Sequence, residues 1–142
     1  MATITYTISS VSSGLTWSGT FEVTTTSNQV KAEIPTSVTA NSSAYTFTPD
    51  SSIGFKYYPD ADLGHNYVTW RTYNGASQYP TGGSSFDVWS SDLYTAIVTS
   101  NVTWAGLVGN SYSLNGTKHS LIYNYDAPYA PYFCKGGTIA FS

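Results

Sequence analysis

Charge is what this chain has least of. Asp, Glu, Lys and Arg make up 9% of its 142 residues, against the roughly 25% usual for soluble domains. Its polarity therefore comes from the hydroxyls of Thr, Ser and Tyr. Such a surface holds water through neutral hydrogen bonds and offers little repulsion, so like or foreign surfaces approach it closely. The basic residues Lys31, Lys56, Arg71, Lys118 and Lys135 are scattered singly, and the formal net charge is −3. Without a basic stripe, nucleic acid is not expected as a partner.

Cysteine is nearly absent as well. Cys134, the single one, excludes an intrachain disulfide and cannot make a zinc site alone, so it reads as a small buried hydrophobe. The N-terminal MATITYTISS alternates instead of placing an apolar run after a basic patch. Neither a signal peptide nor a membrane span is expected from it. A chain of extracellular-looking composition without such a signal is expected on a virion or an extracellular surface, reached by lysis, by a non-classical route or within a particle. The cytoplasm is the alternative.

Helical periodicity is the third absence: no sustained stripe of apolar residues three and four apart is visible, whereas period-two alternation recurs. Ile4, Tyr6 and Ile8 fall on one face and Thr3, Thr5 and Thr7 on the other. Leu15, Trp17, Phe21 and Val23 alternate in the same way with Thr16, Ser18, Thr20 and Glu22, and Gly19 within that run marks a bulge or a close backbone approach. Further strands are expected over residues 29–34, 44–48, 53–58, 66–73, 85–89, 94–99, 111–114, 117–125 and 138–141. Pro35, Pro49, Pro59 and Pro80 fall after such runs, where a strand must stop.

Two Asn-Gly pairs predict two-residue hairpin turns. Asn74-Gly75 would set Arg71 opposite Gln78, and Asn115-Gly116 would set Tyr112 opposite His119. In the second hairpin Tyr112, Leu114, His119, Leu121, Tyr123 and Tyr125 would share one face. No internal repeat divides the chain, and the Gly- and Ser-rich stretch at 81–85 reads as a loop within one domain, residues 1–142. The expected fold is all-β: an antiparallel sandwich of jelly-roll or immunoglobulin-like type with about ten short strands, or alternatively a closed barrel.

Chemistry is hard to find. His65 and His119 are the two imidazoles available to a nucleophilic triad, and no Gly-x-Ser-x-Gly elbow surrounds a serine. Glu22 and Glu33 read as solvated strand charges rather than a glycosidase pair. Asp60, Asp62 and His65 lie in YYPDADLGHN, where oxygens two residues apart suit a hard cation. The further carboxylates of an acidic calcium loop are missing, so neither a metal nor a cofactor is expected. Asn41, Asn101 and Asn115 each begin a glycosylation acceptor triplet, a pattern that a Ser- and Thr-rich chain generates by chance.

Aromatics, by contrast, abound: four Trp, thirteen Tyr and six Phe. A site stacking a sugar on a ring and meeting its hydroxyls with amides and carboxylates is drawn from Asp60, Asp62, Asn66, Trp70, Asn74 and Gln78. Trp89 and Trp104 border loops, and the bland reading is that Trp and Tyr anchor loops to the ends of the barrel or sandwich. In YNYDAPYAPYF, residues 123–133, the first residues finish a strand, and Pro128 and Pro131 then favour an extended arm. Tyr125, Tyr129, Tyr132 and Phe133 on that arm are the candidate assembly contacts.

Together these features point to a non-enzymatic structural or adhesive component of an assembly: a phage-like decoration, tail or fibre protein, or a surface filament subunit. Its partners would be copies of itself or other particle subunits. A carbohydrate-binding lectin without a secretion signal, with glycans as partners, is the alternative. A small membrane-active toxin is the third reading.

Overall fold

Alternation decides the first two strands. In a computed structural model of the chain, β1 (Ala2–Ser9) buries Ile4, Tyr6 and Ile8 and exposes Thr3, Thr5 and Thr7, while β2 (Thr16–Val23) buries Trp17, Phe21 and Val23. The structure describes residues 1–9, 16–33, 35–41, 46–47, 53–60, 65–72, 84–88, 90–114, 120–124, 132–134 and 136–142. Leu15 lies outside them.

The chain is mostly β. After β2 come β3 (Ser37–Val38), β4 (Ala40–Asn41), β5 (Thr46–Phe47), β6 (Ile53–Asp60), β7 (His65–Thr72) and β8 (Ser84–Val88). Two short helices follow, α1 (Ser91–Tyr94) and α2 (Trp104–Leu107), and then β9 (Ser111–Ser113), β10 (Ser120–Asn124), β11 (Tyr132–Cys134) and β12 (Thr138–Phe141). One sheet has seven strands, ordered β5-β4-β2-β1-β12-β9 with β3 also on β2; the other is an antiparallel five-stranded sheet ordered β11-β10-β8-β7-β6. Among the described strands neither sheet closes on itself. No helix among the described residues is long and apolar enough to cross a membrane.

β1 sits between β2 and β12, with Tyr6 opposite both Gly19 and Phe141. At Gly19 the sequence signal is realised as a close approach. The Tyr6 hydroxyl donates to the Thr39 carbonyl at 2.5 Å, Thr39 N–H donates to the Thr20 carbonyl at 2.9 Å, and Thr20 N–H donates to Thr39 Oγ1 at 3.0 Å. A Cβ on Gly19 would meet Tyr6 Oη at 2.6 Å and lie closer still to the Thr39 carbonyl oxygen. Glycine is thus what lets the β3–β4 connection lie across β2.

Phe21 centres the aromatic packing. Its ring lies 5.1 Å from Tyr6, 5.5 Å from Trp104 and 6.4 Å from Phe141, and Phe141 meets Tyr112 edge-on at 6.0 Å. Tilted and edge-on geometries suit the ring quadrupoles. The same buried cluster takes in Val68 of β7 and Val88 of β8.

Several expectations are corrected. Residues 94–99 form no strand: Ser90 caps α1 by accepting from Leu93 N–H at 3.1 Å, and Leu93 and Ile97, four apart, are both buried. Helix continues through Thr95–Thr99 as a wider π turn, and Asn101 at φ 54° turns the chain out of it. Local capping overrides the β propensity of Ile97 and Val98. Of the stretch 29–34, Ile34 lies outside the described residues; Val30–Ala32 form a 3-10 turn, and Gln29 bridges to Thr103.

The hairpin registers also differ. β9 pairs with β12 while β10 lies in the other sheet between β8 and β11, so Tyr112 of β9 does not share a sheet with Leu121 and Tyr123 of β10; Asn115-Gly116, His119 and Tyr125 lie outside the described residues. Arg71 has Gly54 on one side and Ser85 on the other, which leaves no side for Gln78. Pro59 lies inside β6, opposite Asn66, rather than after the strand. β6 is at the sheet edge, where a missing donor is tolerated.

Two outcomes are expected from this packing. Gly19→Ala should lower stability by about 1–3 kcal/mol through overpacking, read as a fall in the urea midpoint. Gly109→Ala, at φ 87° with no atom within 4 Å, should cost only backbone strain of about 1 kcal/mol; equal midpoint shifts would refute the close approach.

Burial raises the phenol pKa of Tyr112 above its usual 10.0. The folded state thus favours the neutral ring. Its contribution is complete below the ordinary value and is lost as pH rises through the raised one. Tyr112→Phe should make the alkaline decline of Tm shallower, and an unchanged decline would count against burial of this ring.

Candidate functional site

The sugar-binding candidates fall on the β6–β7 hairpin and beyond it. Asp60 and His65 are the closing pair of the ladder, with Pro59 opposite Asn66. Strand structure therefore extends to both residues, and the loop read from sequence shrinks to residues 61–64, which hold Asp62 and lie outside the described residues. The pairing brings Asp60 and Asn66 to one end of the five-stranded sheet.

Trp70 takes the register position between Phe55 and Phe86. It is four residues from Asn66, about 13 Å along an extended strand. Val68, between them and on the same alternation, is fully buried. Asn74 and Gln78 lie outside the described residues, as do His119 and Trp89.

Of the arm, Tyr132 and Phe133 belong to β11, opposite Ile122 and Leu121 of β10, with Cys134 opposite Ser120. The arm thus ends as an edge strand of its own chain, begun directly after Pro131, where proline is best accommodated. Tyr125 and Tyr129 lie outside the described residues. Among the described candidates, Asp60 lies on the edge strand β6 and Asn66 and Trp70 on its neighbour β7, while Tyr132 and Phe133 lie on the opposite edge strand β11, about 19 Å from β6 at the usual strand spacing.

A further cluster forms around Trp104. Trp104 opens α2, is fully buried, and packs on Phe21, which makes it a core anchor. Thr103 caps that helix, its Oγ1 accepting from Gly106 N–H at 3.0 Å. Backbone bonds tie this segment to residues 26–30: Val30 N–H donates to the Val102 carbonyl at 2.9 Å, Trp104 N–H to the Asn28 carbonyl at 2.8 Å, and Ala105 N–H to the Thr26 carbonyl. Thr103 followed by an apolar pair was the readable signal.

Glu33, expected to be a solvated strand charge, is 9% exposed. Its Oε1 accepts from Thr24 N–H at 2.5 Å and Thr25 N–H at 3.3 Å, so it holds the turn after β2. Its Oε2 has no hydrogen-bond partner among the described residues. The turn's unpaired amides explain the burial, since a carboxylate is a strong acceptor for backbone N–H groups. Glu22 remains on the outer side of β2 and accepts from Thr3 Oγ1 at 2.9 Å.

No family model, no curated protein and no solved structure matches this chain.

Glu33→Ala leaves two amides of a partly buried turn without their acceptor and should cost about 1–3 kcal/mol. Glu33→Gln keeps an acceptor oxygen and should cost less. Chemical denaturation of the two variants checks the order; a larger loss for glutamine would contradict the acceptor role.

Proposed function

We propose that the chain is a non-enzymatic structural or adhesive component of a macromolecular assembly at a virion or extracellular surface, of the decoration, tail, fibre or filament-subunit kind. One observation carries this reading: in the seven-stranded sheet, the outer side of β1, β2 and β12 is built from hydroxyls and is almost free of ions. Thr3, Thr5, Thr7 and Ser9 of β1 are exposed there, as are Thr16 and Ser18 of β2 and Thr138 of β12. Glu22 is the charged residue among the positions paired across β1, β2 and β12. Soluble proteins ordinarily keep exposed sheets apart with charged side chains. A face that omits them is suited to lasting contact.

In this reading the two sheets pack face to face as a sandwich. What supports that arrangement is the membership of Val68 and Val88, from the five-stranded sheet, in the same buried cluster as Ile4, Tyr6, Phe21 and Phe141 from the other. The lectin reading draws on the polar hairpin end formed by Asp60 and Asn66.

Mass photometry and light scattering of the purified chain test the proposal. A stable ring, filament or other defined oligomer is the expected result. A clean monomer that binds one sugar class on a glycan array, with binding lost on Trp70→Ala, would replace the assembly reading with the lectin.

A further inference from the structure

We propose that the outer face of the seven-stranded sheet is the surface through which one copy of this chain packs on a second copy. The inference rests on the assembly reading above and names its interface and its partner.

The register fixes the layout of that face. Thr7 lies between Ser18 and Ala140, and Ser9 between Thr16 and Thr138, which is itself opposite Ser113. Hydroxyl side chains therefore stand in rows across the strands, about 4.8 Å apart within a row and about 7 Å from row to row. Backbone pairing in both directions at Thr5, which exchanges bonds of 2.9 and 2.8 Å with Ser142, continues the array. Glu22 sits in the row of Thr3, next to the β1 terminus, so the single carboxylate lies at the margin and not at the centre.

Size and shape choose the occupant. From β9 to β4 and from Thr3 to Ser9, the face measures about 19 by 20 Å between backbones, or about 600 Å² with its marginal side chains. Two such faces would bury about 1,200 Å² together, the lower end of the range for specific interfaces. The five strands turn by about 20° each, so the face twists by about 80° from one side to the other. A rigid flat solid would touch only its middle. A second copy carries the same hand of twist, and two such sheets follow one another when their strands cross at about 30°. The contact is then self-complementary, as a two-fold pair requires.

Hydroxyl faces suit this role because each Thr and Ser both donates and accepts, so partners form across the contact whichever way the protons point. Desolvating them costs far less than desolvating Lys or Glu.

The test introduces one positive charge at the centre of the face. Thr7→Lys and Ser18→Lys, made separately, are compared with Ser27→Lys, an exposed position in the turn after β2 and outside its paired residues, by sedimentation across a concentration series; circular dichroism melts identify any variant that fails to fold, and the other then carries the test. Each face variant should weaken association at least tenfold, since like charges would oppose each other across the contact. Part of that loss should return at high salt, and Ser27→Lys should associate as the parent does. Assembly that survives both face variants would overturn the interface while leaving the assembly reading standing. A parent chain that stays monomeric at every concentration would overturn both.

Discussion

The structure depends on the register of β1 between its two neighbours. Because side chains alternate with a period of two, a slip of one residue would turn Ile4, Tyr6 and Ile8 outward and Thr3, Thr5 and Thr7 into the core. Exposing three such side chains costs about 5 to 9 kcal/mol, a large part of the 5 to 15 kcal/mol that holds a domain together. The same alternation that builds the core therefore builds the hydroxyl face. Neither can exist in this form without the other.

Two devices hold that register. On one side Gly19 admits the Thr39 backbone, and the Tyr6 hydroxyl closes on the Thr39 carbonyl. On the other, Phe141 of β12 packs on Phe21, which also receives Trp104 from α2. The helical insertion is thus part of the core as well as a connection between sheets. Glu33 plays a comparable part at the end of β2, where its carboxylate gathers the amides of Thr24 and Thr25.

What the sequence made legible follows from how local each signal is. Alternation in β1 and β2 is a local pattern, and so is the anomaly of a glycine inside a buried stripe; both were readable. The Asn-Gly pairs describe local turns too, but which strands become neighbours is a tertiary matter, and β9 finds β12 rather than β10. Residues 94–99 mislead because Ile97 and Val98 favour strands, while the deciding feature is the Ser90 cap, which accepts from Leu93 N–H and starts the helix before them. Glu33 misleads because its burial depends on unpaired amides elsewhere. At the candidate sugar site, the Asp60–His65 pairing turned two supposed loop residues into strand ends, a distinction that composition alone does not carry.

The most direct test of the register is cross-strand proton contacts measured by nuclear Overhauser effects on the labelled chain. Thr5 and Ser142 exchange both backbone hydrogen bonds, so the pairs that follow alternate in kind. Tyr6 with Phe141 and Ile8 with Ile139 should be the closely spaced pairs and give strong Hα–Hα signals. Signals displaced by one residue, joining Thr7 to Phe141 or Thr5 to Phe141, would contradict the separation of a buried face from a hydroxyl face.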